Sequence, residues 1–156
     1  MLKWLWISGL VVILDQITKW MVSAWMEPYA AYPVFSWFNL TLVHNTGAAF
    51  SFLSDADGWQ RWFFIALSIA VSAAIIVWLK RLHAGEHWTA AALALILGGA
   101  IGNLIDRVAY GHVVDFIQWY YDRWYWPTFN IADSAITVGA AILIIHSVFF
   151  QKRAPG

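Results

Sequence analysis

Long apolar segments dominate the pattern of hydrophobic and polar positions along the chain. A helix needs about 20 predominantly apolar residues to cross the hydrocarbon of a bilayer. Four segments come close to that length: residues 4–26, 62–79, 88–105 and 134–150. The two central segments contain no charged side chain, whereas the first contains Asp15 and Lys19 and the last contains His146. The pattern predicts four membrane spans, with both chain ends on the same side.

The two segments that join the spans on the other side have a different character. Residues 28–58 include the run 38–44, and residues 108–130 include the run 113–117. Both runs are rich in β-branched and aromatic residues, which is typical of strands. We expect them to form a small β-structure that lies on the outer surface of the membrane.

The composition supports a membrane protein of one domain, residues 1–156. Hydrophobic residues make up 62% of the chain and charged residues only 12%, against about 25% charged residues in a typical soluble protein. The formal net charge is zero, and no basic tail or patch points to nucleic acid. The absence of cysteine excludes disulfides and thiolate nucleophiles.

Lysine and arginine near the span ends indicate the orientation, because these residues are enriched on the cytoplasmic side. One side carries Lys3, Lys80, Arg81, Lys152 and Arg153. The other side carries Arg61, Arg107 and Arg123. The bias favours both termini in the cytoplasm. Asp15 and Lys19 interrupt the first apolar segment, so we interpret it as a span and not as a cleavable signal peptide.

Ionisable residues at membrane depth are costly and are treated as functional until shown otherwise. Asp15 and Lys19 lie four residues apart and share one helix face, with the acid N-terminal to the base. We interpret them mainly as a mutually neutralising pair that positions the site. Asp15 lies about three helical turns before Met26, which is deep for direct contact with a bond near the outer boundary.

The third span combines small and polar residues. Gly98 and Gly102 form a small-xxx-small face that lets another helix approach closely, and we expect a gap between helices at the glycines of this span that could admit a further helix from the side. Asn103, Asp106 and Arg107 follow on one face at the outer end. Helix capping with interfacial snorkelling of Arg107 and support of a functional site remain equal alternatives for this group.

Two further carboxylates stand out. Asp115 interrupts the apolar run 113–117, where burial without a partner raises the cost of ionisation. Asp133 stands where the last span begins, and on its own it is interpreted as a helix N-terminal acid. Together the two acids fit one chemistry, in which neighbouring carboxyl groups share a proton, one acting as base on a water and the other donating to a carbonyl.

Other catalytic patterns are absent from the sequence. There is no Gly-x-Ser-x-Gly elbow and no His-Glu-x-x-His metal motif. His83 and His87 have metal-ligand spacing, but they lie in or beside a basic turn and are interpreted as solvated. Asn45 and Gly47 on their own are compatible with any turn.

Five blocks of residues nevertheless occur in a recognisable order over most of the chain. They are Asp-Gln-Ile-Thr-Lys (15–19), Asn-Thr-Gly-Ala-Ala-Phe (45–50), Gly-Gly-Ala-Ile-Gly-Asn-Leu-Ile-Asp-Arg (98–107), Val-Val-Asp-Phe-Ile (113–117) and Phe-Asn-Ile-Ala-Asp-Ser (129–134). Each block is weak alone, but the ordered set resembles the lipoprotein signal peptidases (signal peptidase II).

The resemblance implies an all-α polytopic membrane protein with four transmembrane helices and a small periplasmic β-rich cradle. It implies an aspartic endopeptidase with Asp115 and Asp133 as the catalytic dyad. We expect substrate binding or site support from the polar and small residues of the other blocks: Asp15, Lys19, Asn45, Gly47, Asn103, Asp106, Arg107 and Asn130.

The resemblance also implies a substrate and a location. The substrates would be bacterial prolipoproteins whose cysteine carries diacylglycerol, cut just before that cysteine. Membrane lipid would be the other partner, with no cofactor, no metal, no nucleic acid and no obligate protein partner. The enzyme would be a multi-pass protein of the bacterial cytoplasmic (inner) membrane, with its active site on the periplasmic side.

Two alternatives from other classes stay open on the sequence. A small transporter or channel component could use Asp15, Lys19 and Asp106 as an ion or proton path. A non-catalytic assembly factor could use the aromatic outer segments as a docking surface.

Overall fold

A computed structural model describes residues 1–47 and 58–150. Its four helices are α1 (Leu5–Trp25), α2 (Trp59–Arg81), α3 (His87–Ala109) and α4 (Ile131–Phe149), and the short 3-10 turn Leu2–Trp4 precedes α1. All four are long and apolar enough to cross a membrane. The four predicted spans are therefore confirmed as helices, with α2 and α4 each beginning three residues earlier than the apolar pattern indicated.

Helix α3 lies at the centre and contacts each of the other three helices. Small residues on α3 allow this close approach of the neighbouring helices. A Cβ added at Gly98 would lie 2.7 Å from the Cβ of Val11 on α1, and one added at Gly99 would collide with the backbone carbonyl of Ala132 on α4. The neighbouring helices fill the space over these glycines. The prediction of a gap for a further helix at these glycines is therefore wrong.

The strands form one antiparallel sheet in the order β1 (Ala31–Phe35), β2 (Phe38–Asn45), β3 (Val113–Tyr121) and β4 (Trp124–Tyr125). It lies where α1 and α3 end. A four-stranded sheet of this kind is not covered by the description all-α, so that part of the predicted fold class is too narrow. The small β-structure between the spans is confirmed.

Pairing of β2 with β3 joins the two outer segments. Val43 lies opposite Asp115, and Asn45 lies opposite Val113. The start of α4 is tied to the same strand, because the Phe129 N–H donates to the Ile117 carbonyl at 3.0 Å and the Ile117 N–H donates back to the Phe129 carbonyl at 2.9 Å. Strand β3 thereby holds residues from both outer segments next to α4.

Several sequence expectations lie outside the described residues. The 45–50 block is described only as far as Gly47, and Lys152 and Arg153 fall in the part that is not described. The basic turn between α2 and α3 is described, and there His83 and Glu86 form an exposed pair, with His83 Nδ1 3.3 Å from Glu86 Oε2. His83 is solvated, as expected.

The close approach at Gly99 is testable. Gly99→Ala should lower the apparent melting temperature in detergent, because overpacking of a tight interface costs about 1–3 kcal/mol and the added methyl group meets backbone of α4. Gly9→Ala on α1 is the matched control, since nothing lies within 4 Å of its added Cβ. Equal melting temperatures for the two variants would contradict the packing described here.

Candidate active site

Two carboxyl groups meet between the sheet and the beginning of α4. Asp115 on β3 is only 1% exposed. Its two oxygens accept hydrogen bonds from Asn45 Nδ2 at 2.9 Å and from Asn130 Nδ2 at 2.7 Å. Asp133 lies in the first turn of α4, and its Oδ1 accepts from Asn103 Nδ2 at 2.8 Å. Three asparagine amides therefore orient the two acids.

Asn130 connects the acids directly. It is the N-cap of α4, where its side-chain oxygen accepts from the Asp133 N–H at 2.8 Å. The same side chain uses its amide nitrogen to hold Asp115. Because Asn130 caps the helix, Asp133 is not needed as the N-terminal capping group, and its carboxylate is available for another role.

Burial sets the electrostatics of Asp115. Desolvation, with the charge of Asp133 as the second cause, raises the pKa of Asp115 to about 7. Hydrogen bonds from Asn45 and Asn130 and the positive charge of Lys19 oppose this rise. A carboxyl group with a pKa near 7 carries a proton in about half of the molecules at neutral pH. The pair can therefore present one acid and one base at the same time.

Lys19 is almost fully buried and is connected to the two acids through Asn103 and Asn130. Its Nζ is 2.8 Å from Asp15 Oδ2 and 2.8 Å from Asp106 Oδ2, and it donates to Asn103 Oδ1 at 3.0 Å. The expected pairing of Asp15 with Lys19 on one helix face is observed. Asp106 on α3 is a second, equally close partner that the spacing within α1 could not indicate.

The partners of Lys19 also hold the backbone beside each acid. Asp15 Oδ1 accepts from the N–H of Ala132, the residue before Asp133, at 2.9 Å. Asp106 Oδ2 accepts from the N–H of Val114, the residue before Asp115, at 3.1 Å. Asp15 is therefore connected to the site through the backbone beside Asp133, as expected for a residue that positions the site.

Gln16 is a member of this cluster that sequence reasoning missed. Its Nε2 donates to Asp106 Oδ1 at 2.9 Å and to the Gly102 carbonyl at 3.2 Å. The only sequence signal was its place beside Asp15 in the first block. Gly102 itself is required by the cluster, because an added Cβ there would lie 2.6 Å from Asp15 Oδ2.

Arg107 supports the turn that follows β2. Its Nη2 donates to the Gly47 carbonyl at 3.0 Å, and its guanidinium lies 5.0 Å from the centre of the Phe64 ring. Asn45 Oδ1 accepts from the Gly47 N–H at 2.9 Å. Arg107 is 9% exposed, so it is not a snorkelling interfacial side chain. Every site residue indicated by the sequence thus belongs to one connected network.

Two cavities border the acids. The larger, of about 550 Å³, is lined by Asp133 and residues of α4. The smaller, of about 360 Å³, is lined by Asp115 and residues of β2 and β3.

Within residues 1–47 and 58–150, no three histidine, aspartate or glutamate side chains come together as metal ligands would.

Two carboxyl groups, Asp115 and Asp133, lie at one end of a bundle of four helices that are long and apolar enough to cross a membrane. This arrangement is compatible with a membrane aspartic endopeptidase. A family model described as signal peptidase (SPase) II matches residues 7–149. The chain belongs to the signal peptidase II family, whose members are aspartic endopeptidases that act on signal peptides.

Individual relatives agree with this assignment. A lipoprotein signal peptidase of Pseudomonas aeruginosa is 57% identical over 158 residues, with 98% of this chain and 91% of the relative covered. One from Acinetobacter baumannii (strain SDF) is 52% identical, with 99% and 88% covered. A solved structure described as a bacterial membrane enzyme, determined by the in meso method at 2.3 Å resolution, has a TM-score of 0.84 at 31% identity, covering 100% of this chain and 96% of that one. The transporter alternative is not supported by these relatives.

The cluster around Lys19 makes a sharp prediction. Lys19→Met keeps the side-chain length but leaves Asp15 and Asp106 buried without their common cation. Loss of one partner from a buried ion pair costs about 3–5 kcal/mol, so the melting temperature in detergent should fall strongly. The double variant Lys19→Met, Asp106→Asn should recover part of the loss, because one unpaired charge is removed.

Glu86→Gln is the control for this experiment. It also removes a charge from a side-chain pair close in sequence, but the pair with His83 is exposed, and exposed pairs contribute about 0–1 kcal/mol. If Lys19→Met melts at the wild-type temperature, the cluster does not stabilise the fold.

Proposed function

We propose that this chain removes the signal peptide from diacylglyceryl-modified bacterial prolipoproteins by cutting just before the lipidated cysteine, with Asp115 and Asp133 as the catalytic dyad. The observation that carries the assignment is that one side chain, Asn130, donates to the buried Asp115 carboxyl group and accepts from the backbone N–H of Asp133. The names of the Pseudomonas and Acinetobacter relatives support the substrate class.

The geometry is suited to a general acid–base mechanism. The ionised carboxylate takes a proton from a water, whose oxygen attacks the scissile carbonyl carbon, while the protonated carboxyl donates to the carbonyl oxygen. The tetrahedral diol then collapses. The C–N bond breaks as the new amino group of the cysteine takes a proton from one carboxyl group of the dyad, and a hydroxyl group of the diol returns its proton to the other carboxylate, which leaves a carboxyl group on the signal peptide. No covalent enzyme intermediate forms, and the dyad ends with one proton as it began.

The surrounding residues have supporting roles in this proposal. Asn45, Asn103 and Asn130 orient the acids. Asp15, Lys19 and Asp106 position the backbone segments that carry them, and Arg107 holds the turn at Gly47 next to Asn45. None of these roles needs a cofactor.

The proposed location is the bacterial cytoplasmic membrane, with both termini in the cytoplasm and the dyad on the periplasmic side. Lys80 and Arg81 end α2 at the opposite end of the bundle from the sheet, as the enrichment of basic residues on the cytoplasmic side requires. A lipid-modified exported precursor reaches the dyad from the surrounding bilayer.

Asp115→Asn and Asp133→Asn should each lower kcat by about a hundred- to ten-thousandfold, because asparagine keeps the shape but cannot exchange the proton. The measurement is cleavage of a purified diacylglyceryl-modified prolipoprotein in detergent. Asp122→Asn is the matched control. This acid lies exposed in the turn between β3 and β4 at φ 52°, a conformation that asparagine also tolerates.

Both dyad variants should keep the wild-type melting temperature within a few degrees, so that a loss of turnover is not a loss of folding. Near-normal cleavage by either variant removes that residue from the dyad. A comparable loss in Asp122→Asn would show that the effect is not specific to the site.

The raised pKa of Asp115 predicts the alkaline limb of the pH profile. As the pH rises through about 7, Asp115 loses its proton and the dyad can no longer supply an acid, so kcat falls. The hydrogen bond from Asn45 favours the ionised form and lowers this pKa. Asn45→Ala should therefore move the alkaline limb to higher pH.

Asn39→Ala is the control for the pH profile. Asn39 is also an amide on β2, but its side chain donates to Gln118 and not to Asp115. Its replacement should leave the position of the limb unchanged. A limb that stays in place in Asn45→Ala, or moves to lower pH, contradicts the role given to Asn45.

A further inference from the structure

The two cavities beside the acids are separated by one stretch of chain. That stretch consists of Trp126, Pro127 and Thr128. All three line both cavities, together with Asn45. Asp133 lines only the larger cavity, and Asp115 lines only the smaller one. A peptide bond held between the two acids therefore has one cavity on each side.

The cavities differ in chemistry. The larger one is lined along α4 by Ile136, Thr137 and Val138, and Val138 is 51% exposed on the surface of a membrane-spanning helix. This cavity therefore opens toward the lipid. The smaller one is lined by Gln118 and His44 on the sheet, where polar groups are available for hydrogen bonds.

A diacylglyceryl-modified precursor has three parts near the cut bond. The signal peptide helix and the acyl chains are apolar and remain in the lipid, since burying apolar surface away from water is favourable. Only the mature chain that follows the cysteine is polar and leads to water. The two apolar parts match the larger cavity, and the polar part matches the smaller one.

From this match, and resting on the proposed function, we infer that the smaller cavity binds the residue that follows the lipidated cysteine, with Gln118 and His44 as residues that determine specificity there. Gln118 Oε1 accepts from Asn39 Nδ2 at 3.3 Å, which orients the amide. In the part of the chain that the structure describes, Gln118 Nε2 has no partner, so it is available to donate to the substrate.

Distance along the strand agrees with this assignment. Gln118 follows Asp115 by three residues on β3, which is about 10 Å at roughly 3.3 Å per residue. In an extended substrate the residue after the cysteine is the second beyond the cut bond, about 7 Å away on the same scale, and its side chain reaches further.

Charge exchange at the smaller cavity tests the inference. The substrates are precursors that differ only at the residue after the cysteine, which is Asp, Ser or Lys. Gln118→Lys should raise kcat/KM for the Asp substrate relative to the Lys substrate by about fivefold, and Gln118→Glu should change that ratio by about fivefold in the opposite direction, as expected for a partly exposed ion pair. His44→Glu, at an exposed position, should follow Gln118→Glu.

A second substrate series carries the same changes at the second residue before the cysteine, and its ratios should not respond. Arg123→Glu is the matched control, because it changes charge in the exposed turn between β3 and β4, outside both cavities. If the signal-peptide series responds instead, or if no variant exceeds the control, the inference is overturned. If wild-type protein cleaves no precursor, it is the proposed function that fails.

Discussion

The pairing of the buried ammonium group of Lys19 with two carboxylates is the interaction on which the rest of the site depends. The ammonium group lies between a carboxylate of its own helix, Asp15, and a carboxylate of α3, Asp106, at 2.8 Å from each. Isolated charges at membrane depth are costly, and mutual pairing is the way in which proteins keep them there. Asp15 accepts the N–H of Ala132 with its other oxygen, Oδ1, and Asp106 accepts the N–H of Val114 with the same Oδ2 that pairs with Lys19, so both backbone segments are held in defined places.

Helix packing and chemistry are coupled through the same glycines. Helices in a bilayer gain little from apolar burial against one another, so close approach through small residues and interhelical hydrogen bonds must provide their association. Gly102 admits the carboxylate of Asp15, and Gly99 admits the start of α4 at Ala132. The same approach that packs α3 against its neighbours therefore brings Asp133 toward Asn103, and a bulkier α3 would lose both.

The sheet contributes one of the two carboxyl groups of the site. Strand β3 presents Asp115 from outside the spans, where burial and the neighbouring Asp133 raise its pKa to about 7. Here one acid starts a span and the other belongs to an extended segment. Under the proposed function, the bond to be cut lies between a lipid-facing cavity and a polar one.

The sequence by itself determined the four spans and the presence of strands between them. Both follow from local patterns, since a long apolar run has few alternatives to a membrane helix and strand composition is read over a few neighbouring residues. The ordered blocks of residues also indicated the family and contain the residues of the polar network, among which only Gln16 was not indicated as a site residue. The pairing of Asp15 with Lys19 was predictable because the two lie one helical turn apart.

Only the tertiary structure decided which of these residues touch. Asp15 and Ala132 are 117 residues apart, and Lys19 and Asn103 are 84 residues apart, so no spacing rule relates them. The second carboxylate at Lys19 and the closed packing over Gly98 and Gly99 arise from the way α1 and α4 meet α3. The hydrogen bond from Asn130 to Asp115 arises from the way the start of α4 meets β3. Local sequence sets the shape of each element, but the contacts between elements depend on their joint packing.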